Sequence, residues 1–453
     1  MYTNSSDVNA QRTFGETSSD AEMNSAWGAL WGNVAQANYL INNLKIVSSP
    51  SVSPAVINNA IGQAYFIRAT AYFYLVRIWG PVPIITNALK NVSSPQLNTN
   101  LVSDIYQFIT NDYTSAISLL PSEIRGSNYS SNAKVSQGSA EAMLAKVYLY
   151  QKNYSMAKQM AETVINSGEF HLMGGTSAYS IQGKSFADLF TYAGNNNEES
   201  IFALQEKGDA NYGSANNADT QFGIANGTIS TSNASYGGVF APSQDILTLY
   251  DVGDKRRNET IMFPGNVYPN IKIVNGAGFQ IGLTVPAVDQ IGGQNAGAAI
   301  KKYCLGIVNG NVTGPVDSYN MMDNNVYIMR YAELLLIDAE AILAGGGSTS
   351  DPMALKCLNA VRNRAGLADV SSFTFDDLFT ERRKELAFEG DYWYDLGRID
   401  RAKAISIMAA QNRGNRFSPE YYTPSNSSFT VPYPANDVAK NPKLLQPPVK
   451  YQF

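Results

Sequence analysis

Ser139-Ala140-Glu141-Ala142-Met143-Leu144-Ala145-Lys146-Val147-Tyr148-Leu149-Tyr150-Gln151-Lys152-Asn153-Tyr154-Ser155-Met156-Ala157-Lys158-Gln159-Met160-Ala161-Glu162-Thr163-Val164-Ile165-Asn166-Ser167 decides the fold. Leu144, Ala145 and Tyr148 share one helical stripe, and Ala157, Ala161 and Val164 share another, the spacing of a tetratricopeptide helix pair. Lys152-Asn153 supplies the tight turn, and Gly168 ends the second helix. Alanine at 145, 157 and 161 lets the two helices approach closely. A looser copy spans 329–365. Leu335, Leu336 and Ala339 match its first helix, and Ala354, Leu358 and Val361 its second. The joint is longer, Gly345 to Ser350, and Asp351-Pro352 opens the next helix.

Working outward, residues 21–46 carry Trp27, Leu30, Trp31, Val34, Leu40, Ile41 and Leu44 at helical spacing. Ser53-Pro54 starts a helix that Gly80-Pro81 stops, and Pro81 to Ile85 is extended because its prolines forbid helix. Residues 101–119 resume the helical period with Ile105, Ile109, Tyr113 and Ile117. Residues 168–325 change character: Gly, Asn, Ser and aromatics dominate, as in Asn195-Asn196-Asn197 and Ser235-Tyr236-Gly237-Gly238. So long an irregular stretch inside a compact protein usually carries function. Ile201 to Leu204 and Ile246 to Tyr250 are nevertheless core-like. After 417 the chain is rich in Pro and Tyr and is expected to wrap the body as extended segments. The expectation is a mainly α protein: a tetratricopeptide-like helical repeat scaffold (21–167 and 326–412), a loop-rich region (168–325) and a wrapping tail (413–453) within one 453-residue unit.

Composition removes several functions. Net charge is −5 with no long basic run, which argues against nucleic-acid binding. The single histidine, His171, excludes multi-His metal sites and reads as a surface or packing residue. Cys304 and Cys357 make no disulfide framework, and Cys357 sits on an apolar helical stripe. No apolar run approaches the ~20 residues of a membrane span. Met1 to Asp7 contains no apolar signal-peptide core. There is no Walker sequence, no dinucleotide fingerprint and no His-Glu-x-x-His, so no cofactor and no metal is expected.

Glu381, Glu385 and Glu389 recur every four residues and share a helix face, with Gly390 placed to cap it. Such a stripe could be acid–base machinery. The arginines nearby (362, 364, 382, 383, 398 and 401) favour an ion-paired lock, because a glycosidase sets its carboxylates on separate elements across an open cleft. Trp27, Trp31 and Trp79 lie on apolar stripes and are expected in the core, and Trp393 in the scaffold.

Four segments in order resemble the SusD/RagB family, the surface glycan-binding lipoproteins of Bacteroidetes-type nutrient uptake systems. They are Gln63 to Pro83, with its Trp79-Gly80-Pro81-Val82-Pro83 exit; Arg330 to Ala341; Leu358 to Leu367; and Glu381 to Arg398. The chain departs from the family at Asp391-Tyr392-Trp393-Tyr394, where many relatives place a basic residue, and at its end, Gln446 to Tyr451. The resemblance implies capture of oligosaccharide at the outer-membrane surface without catalysis, and delivery to a TonB-dependent transporter. It also implies an N-terminal lipid anchor whose cysteine is absent from this chain. The family builds its glycan platform from an N-terminal loop and the irregular middle region. In comparable places stand Phe14, Tyr212, Phe222 and Tyr236, with Asn211, Gln221 and Asn233 as possible hydroxyl partners. The rival readings are a glycoside hydrolase using Glu or Asp pairs, and a repeat scaffold that binds a peptide or protein.

Overall fold

The computed structural model describes residues 9–87, 92–207, 216, 221–224, 238–275, 278–291, 296–305 and 322–453; for 272–275 and 278–281 it describes the backbone alone. Among them are fourteen α-helices. The N-terminal half holds α1 (Asn9–Thr13), α2 (Ala21–Val47), α3 (Pro54–Trp79), α4 (Val102–Leu119), α5 (Gln137–Tyr150) and α6 (Tyr154–Ser167). Two short helices, α7 (Gln244–Leu247) and α8 (Arg257–Thr260), lie in the middle. Then follow α9 (Tyr331–Leu343), α10 (Pro352–Arg364), α11 (Phe375–Glu385), α12 (Tyr392–Arg398), α13 (Arg401–Ala409) and α14 (Ala435–Lys440).

The starts predicted at Ser53, Asn153 and Asp351 and the stop predicted at Gly168 are the observed ones. Ser53 accepts from Val56 N–H with Pro54 behind it, and Asn153 accepts from Met156 N–H. Asp351 accepts from both Met353 and Ala354 N–H. Gly168 caps α6 in the left-handed conformation at φ 67°. Neighbours in the chain pack as neighbours in space from α2 through α6, and α9 then packs on α6 with α10 on its far side. The two sequence copies therefore form one continuous stack. Ala145, Ala157, Ala161, Ala339 and Ala354 are all fully buried at its helix contacts. A second device fastens α2, α3 and α4: Arg68 forks onto Asp112 with two bonds of 2.7 Å and gives a third, 2.7 Å, to Asn38.

The loop-rich region is tied to this stack by a strand pair. The strand Ser200–Leu204, inside the region, pairs antiparallel with Val326–Arg330, where the chain returns to the stack. Between them the described residues carry regular structure that composition did not suggest. Val267–Asn275 and Gly278–Thr284 form a hairpin, and Ile261–Met262 pairs with Ala299–Ile300. Ile224, Met262, Ile271, Leu283 and Cys304 make a separate small core.

Two expectations need correction. The helix carrying Glu381 and Glu385 ends at Glu385, a turn before Gly390. Ala387 packs among Ile246, Tyr250 and Ile261, Phe388 takes a φ of 64°, and Glu389 leaves the helical stripe. The tail is only partly extended, because α14 and short 3-10 turns at Asn426–Phe429 and Pro442–Leu445 punctuate it. It does wrap the body: Val431 N–H donates to Ile78 O (2.8 Å), Val449 N–H to Thr99 O (2.8 Å) and Tyr451 N–H to Asp104 Oδ2 (2.7 Å).

Candidate functional site

The Glu381–Glu389 segment is the densest concentration of charge in the interior. Glu385, fully buried, meets Arg330 at 3.0 Å and Arg256 at 3.1 Å, and pairs with Arg364 as well. Glu389 receives Arg330 Nε and Nη2, each at 2.7 Å, and Lys302 Nζ at 2.8 Å. Glu381 faces Arg256 at 2.7 Å and Arg362 at 3.1 Å. Glu199 joins from the start of the loop-rich region, 2.6 Å from Arg364, and Asp254 lies 2.7 Å from Arg256. Five cations (Arg256, Lys302, Arg330, Arg362, Arg364) thus face five carboxylates (Glu199, Asp254, Glu381, Glu385, Glu389).

The electrostatics follow from that geometry. Burial alone would push the Glu385 carboxyl up, but Arg364, Arg330 and Arg256 hold it well below the usual carboxylate range. Burial lowers Lys302 to about 8, with Glu389 opposing. A general acid needs a proton near neutral pH and an open approach, and Glu385 has neither. The stripe is a lock. Asp254, Arg256 and Lys302 of the loop-rich region are bound through it to α10 and α11. Of the arginines considered from sequence, Arg362 and Arg364 reach the stripe. Arg382 instead serves Asp395 (2.6 Å) and Glu333, Arg383 serves Asp245, Arg398 serves Glu340 (2.8 Å), and Arg401 lies over the Phe429 ring (3.6 Å). Arg256, Lys302 and Arg330 were not expected as partners.

The aromatic candidates divide. Phe14 is half-buried and stacked on Trp393 (6.1 Å between centroids), with the Arg413 guanidinium 4.2 Å from its ring. Phe222 is half-buried, meets Phe240 edge-on at 6.1 Å and packs against two apolar clusters. Gln221, beside it, uses its backbone carbonyl to accept from Phe240 N–H. Tyr212, Tyr236, Asn211 and Asn233 lie outside the described residues. The tryptophans are scaffold, as expected. Trp27 and Trp79 meet at 4.9 Å in the core, Trp31 packs on Tyr72, and Trp393 is stacked between Phe14 and Phe429. His171 is half-buried beside the short strand Leu172–Met173, its N–H bonded to Glu198 O.

The Asn195–Asn197 and Asp323–Tyr327 segments form a polar network that composition alone did not reveal. Asn195 donates to Asp323 O (2.6 Å) and accepts from Asn325 N–H (2.8 Å). Asn325 also donates to Asn196 (3.1 Å), and Asn197 donates to the Tyr327 hydroxyl (2.6 Å). Lys207 pairs with Asp323 at 3.1 Å, and Asn216 exchanges two backbone bonds with Met322. Residues 208–215, which include Asn211 and Tyr212, are therefore bracketed by two anchored points.

A cavity of about 640 Å³ opens between α1, the start of α2, the Phe240–Ile246 segment and the α11–α12 junction. Its walls include Phe240, Phe379, Phe388, Tyr392 and Trp393. Arg382 Nη1, which lines it, has no partner among the described residues. Asp395, its buried carboxylate, is held by Arg382 and Arg398. Among the described residues no cluster of His, Cys, Asp and Glu is arranged to hold a metal, and no helix is long and apolar enough to cross a membrane.

Comparison with known proteins adds the following. The SusD family model matches residues 198–449, and a model described as starch-binding and associating with the outer membrane matches residues 1–149. A SusD-like protein of Bacteroides ovatus is 31% identical, over 97% of this chain and 84% of its own length. A crystal structure with a xylogluco-oligosaccharide is 28% identical, with a TM-score of 0.82 over 100% of this chain and 93% of that one. A laminarin-binding SusD-like protein is 25% identical, with a TM-score of 0.74 over 99% of this chain and 90% of that one.

Proposed function

This chain belongs to the SusD family, and from that premise we propose that it captures an oligosaccharide or polysaccharide at the cell surface without cleaving it. The observation that carries the reading is the full-length likeness to the structure with a xylogluco-oligosaccharide. The saturated Glu381–Glu389 lock supports the absence of catalysis, since its carboxylates already hold cations in the interior.

Ligand contact falls to the segments that carry Tyr212 and Tyr236, with Asn211 and Asn233 reading hydroxyls. Sugar rings stack C–H faces on flat aromatics, so a contributing ring needs a free face. Phe14 is engaged by Trp393 and Arg413, and Phe222 by Phe240 and two apolar clusters, so the two tyrosines are the stronger candidates. Delivery follows capture. A TonB-dependent transporter in the outer membrane is the receiving partner, and an N-terminal lipid anchor keeps the protein beside it.

Affinity electrophoresis against a panel of soluble polysaccharides, with each mixture assayed for released sugar, tests this. Retardation by one glycan class without release is the expected result. Release of sugar would replace the reading with hydrolysis. Retardation by none, with retention of the transporter in a pull-down, would replace it with a protein- or peptide-binding scaffold.

A further inference from the structure

The cavity beside α1 is large enough for a ligand, and the capture of glycan makes no use of it. At about 640 Å³ it falls within the roughly 300–1,000 Å³ of small-molecule pockets, which are mostly apolar with a few converging polar groups. Met23 and Ala26 of α2 supply one wall, and Phe379, Leu386, Phe388 and Trp393 another. Phe388 lines it from a left-handed backbone, φ 64°, which a bulky residue keeps only where its surroundings hold it.

The polar groups of the wall carry an unmatched positive charge. Four arginines line it. Arg12 pairs with Glu420, Arg383 with Asp245 and Arg382 with Asp395. Arg413 alone pairs with no carboxylate among the described residues. It donates to two uncharged oxygens, Arg12 O (2.8 Å) and Gln411 Oε1 (3.2 Å), and its Nε has no partner among the described residues. Burial lowers its pKa to about 10, with Asp245, Tyr392 and Glu16 opposing, as for a cation taken out of water and left unpaired. Arg382, 2% exposed, spends Nε on Asp395 (2.6 Å) and Nη2 on Glu333. Those two nitrogens share one edge of the guanidinium fork, and Nη1 on the other edge has no partner among the described residues. The carboxylates in the wall are Glu16, Glu22 and Asp395. Asp395 is held by Arg382 and Arg398, Glu22 is exposed to solvent, and burial raises Glu16. Among buried atoms of the wall left without a partner, Arg382 Nη1 and Arg413 Nε donate and only Gln11 Oε1 accepts.

We propose that this cavity binds a small carboxylate carrying an apolar ring, the carboxylate against Arg413 and Arg382 and the ring among Phe240, Phe388 and Trp393. A carboxylate is acceptor-only when ionised, so it matches a wall whose spare groups are donors, and its charge supplies what Arg413 lacks. The ring covers hydrocarbon that water would otherwise wet. A sugar acid suits the cavity less well, because each hydroxyl carried into a mostly apolar wall needs a hydrogen-bond partner there. The inference does not rest on the glycan reading, since the cavity and its charges are described without it.

Isothermal titration calorimetry of the full chain with 3-phenylpropionate tests the site. Binding is expected. 3-Phenylpropanol, the same ring without the charge, should bind more than about tenfold more weakly, the order of a charge-assisted hydrogen bond. No binding of 3-phenylpropionate, or equal binding of the two, would overturn the proposal. Glucuronate binding more tightly than 3-phenylpropionate would make the cavity a sugar-acid site and overturn the ligand class. Arg413→Gln should bring 3-phenylpropionate down to the affinity of 3-phenylpropanol and leave the alcohol unchanged. Equal weakening of both would mean that Arg413 only shapes the wall, and would overturn its assignment. Ala26→Phe places a ring in the cavity and should abolish binding while circular dichroism shows the fold kept. Undiminished binding to that variant would put the ligand elsewhere and overturn the site.

Discussion

Cys357 Sγ donates to Asp338 Oδ2 at 3.4 Å inside the stack, and Asp338 Oδ1 has no partner among the described residues. Asp338 on α9 is fully buried, and burial pushes its carboxyl up to about 7 from 3.8. Cys357 hydrogen-bonds its charged form, Lys158 on α6 also favours it, and Glu162 and Asp351 oppose. The folded state therefore holds a proton that the unfolded chain releases between pH 3.8 and about 7. Stability from this group is complete below pH 4 and is lost as pH rises through 7. Asp338→Asn should match the parent at pH 4 and exceed it by about 4 kcal/mol at pH 8, at about 1.4 kcal/mol per unit. Urea titrations at the two pH values measure the difference; an equal gain at both would rule out titration as its source.

Removing one partner from the Glu385 lock leaves buried cations without a counter-charge. Glu385→Ala should cost about 3–5 kcal/mol, because Arg256, Arg330 and Arg364 all point at its carboxylate. Chemical denaturation gives the loss. Limited proteolysis should show the first new cuts in the loop-rich region, which the lock holds down through Asp254, Arg256 and Lys302. A loss under about 1 kcal/mol would mean the pairs contribute no more than exposed ones.

Substitution separates bracing from binding. Phe222→Ala removes a half-buried ring packed against two apolar clusters and should lower stability by about 1–2 kcal/mol, less than a fully buried phenylalanine. Tyr212→Ala and Tyr236→Ala should leave the melting temperature unchanged. Each should weaken glycan retention by about tenfold, the order of a lost stacking contact. Differential scanning fluorimetry beside affinity electrophoresis separates the two effects. Normal retention by both tyrosine variants would move the platform elsewhere.

Gly194 tests the polar network. A Cβ there would run into the carbonyl oxygen of Asp188, and the Gly194 carbonyl accepts from Asn197 Nδ2. Gly194→Ala should cost about 2 kcal/mol or more, since backbone rather than a flexible side chain must shift. The thermal midpoint reports it.

The repeat scaffold was legible because its signals are local. Alanine at 145, 157 and 161, the Ser53-Pro54 start and the left-handed Gly168 each state a conformation within a few residues. The lock was legible only by half. Glu381 and Glu385 announce themselves by spacing, whereas Arg256, Lys302 and Arg330 come from distant segments whose approach no periodicity records. The end of α11 was misjudged because a four-residue repeat resembles a helix whether or not tertiary contacts continue it. At Ala387 and Glu389 they do not. Side-chain ladders such as Asn195 to Asp323 are invisible for the same reason: asparagine clusters read as loop until their partners are placed.

Lys207 and Asn216, the residues that flank 208–215 in the chain, are each fastened to the 322–323 segment. A mounting of this kind separates what is varied from what is kept. On the proposed reading, residues 208–215 can be exchanged for another octapeptide with both stems kept, and a segment transplanted between the same two stems would carry its sugar preference with it.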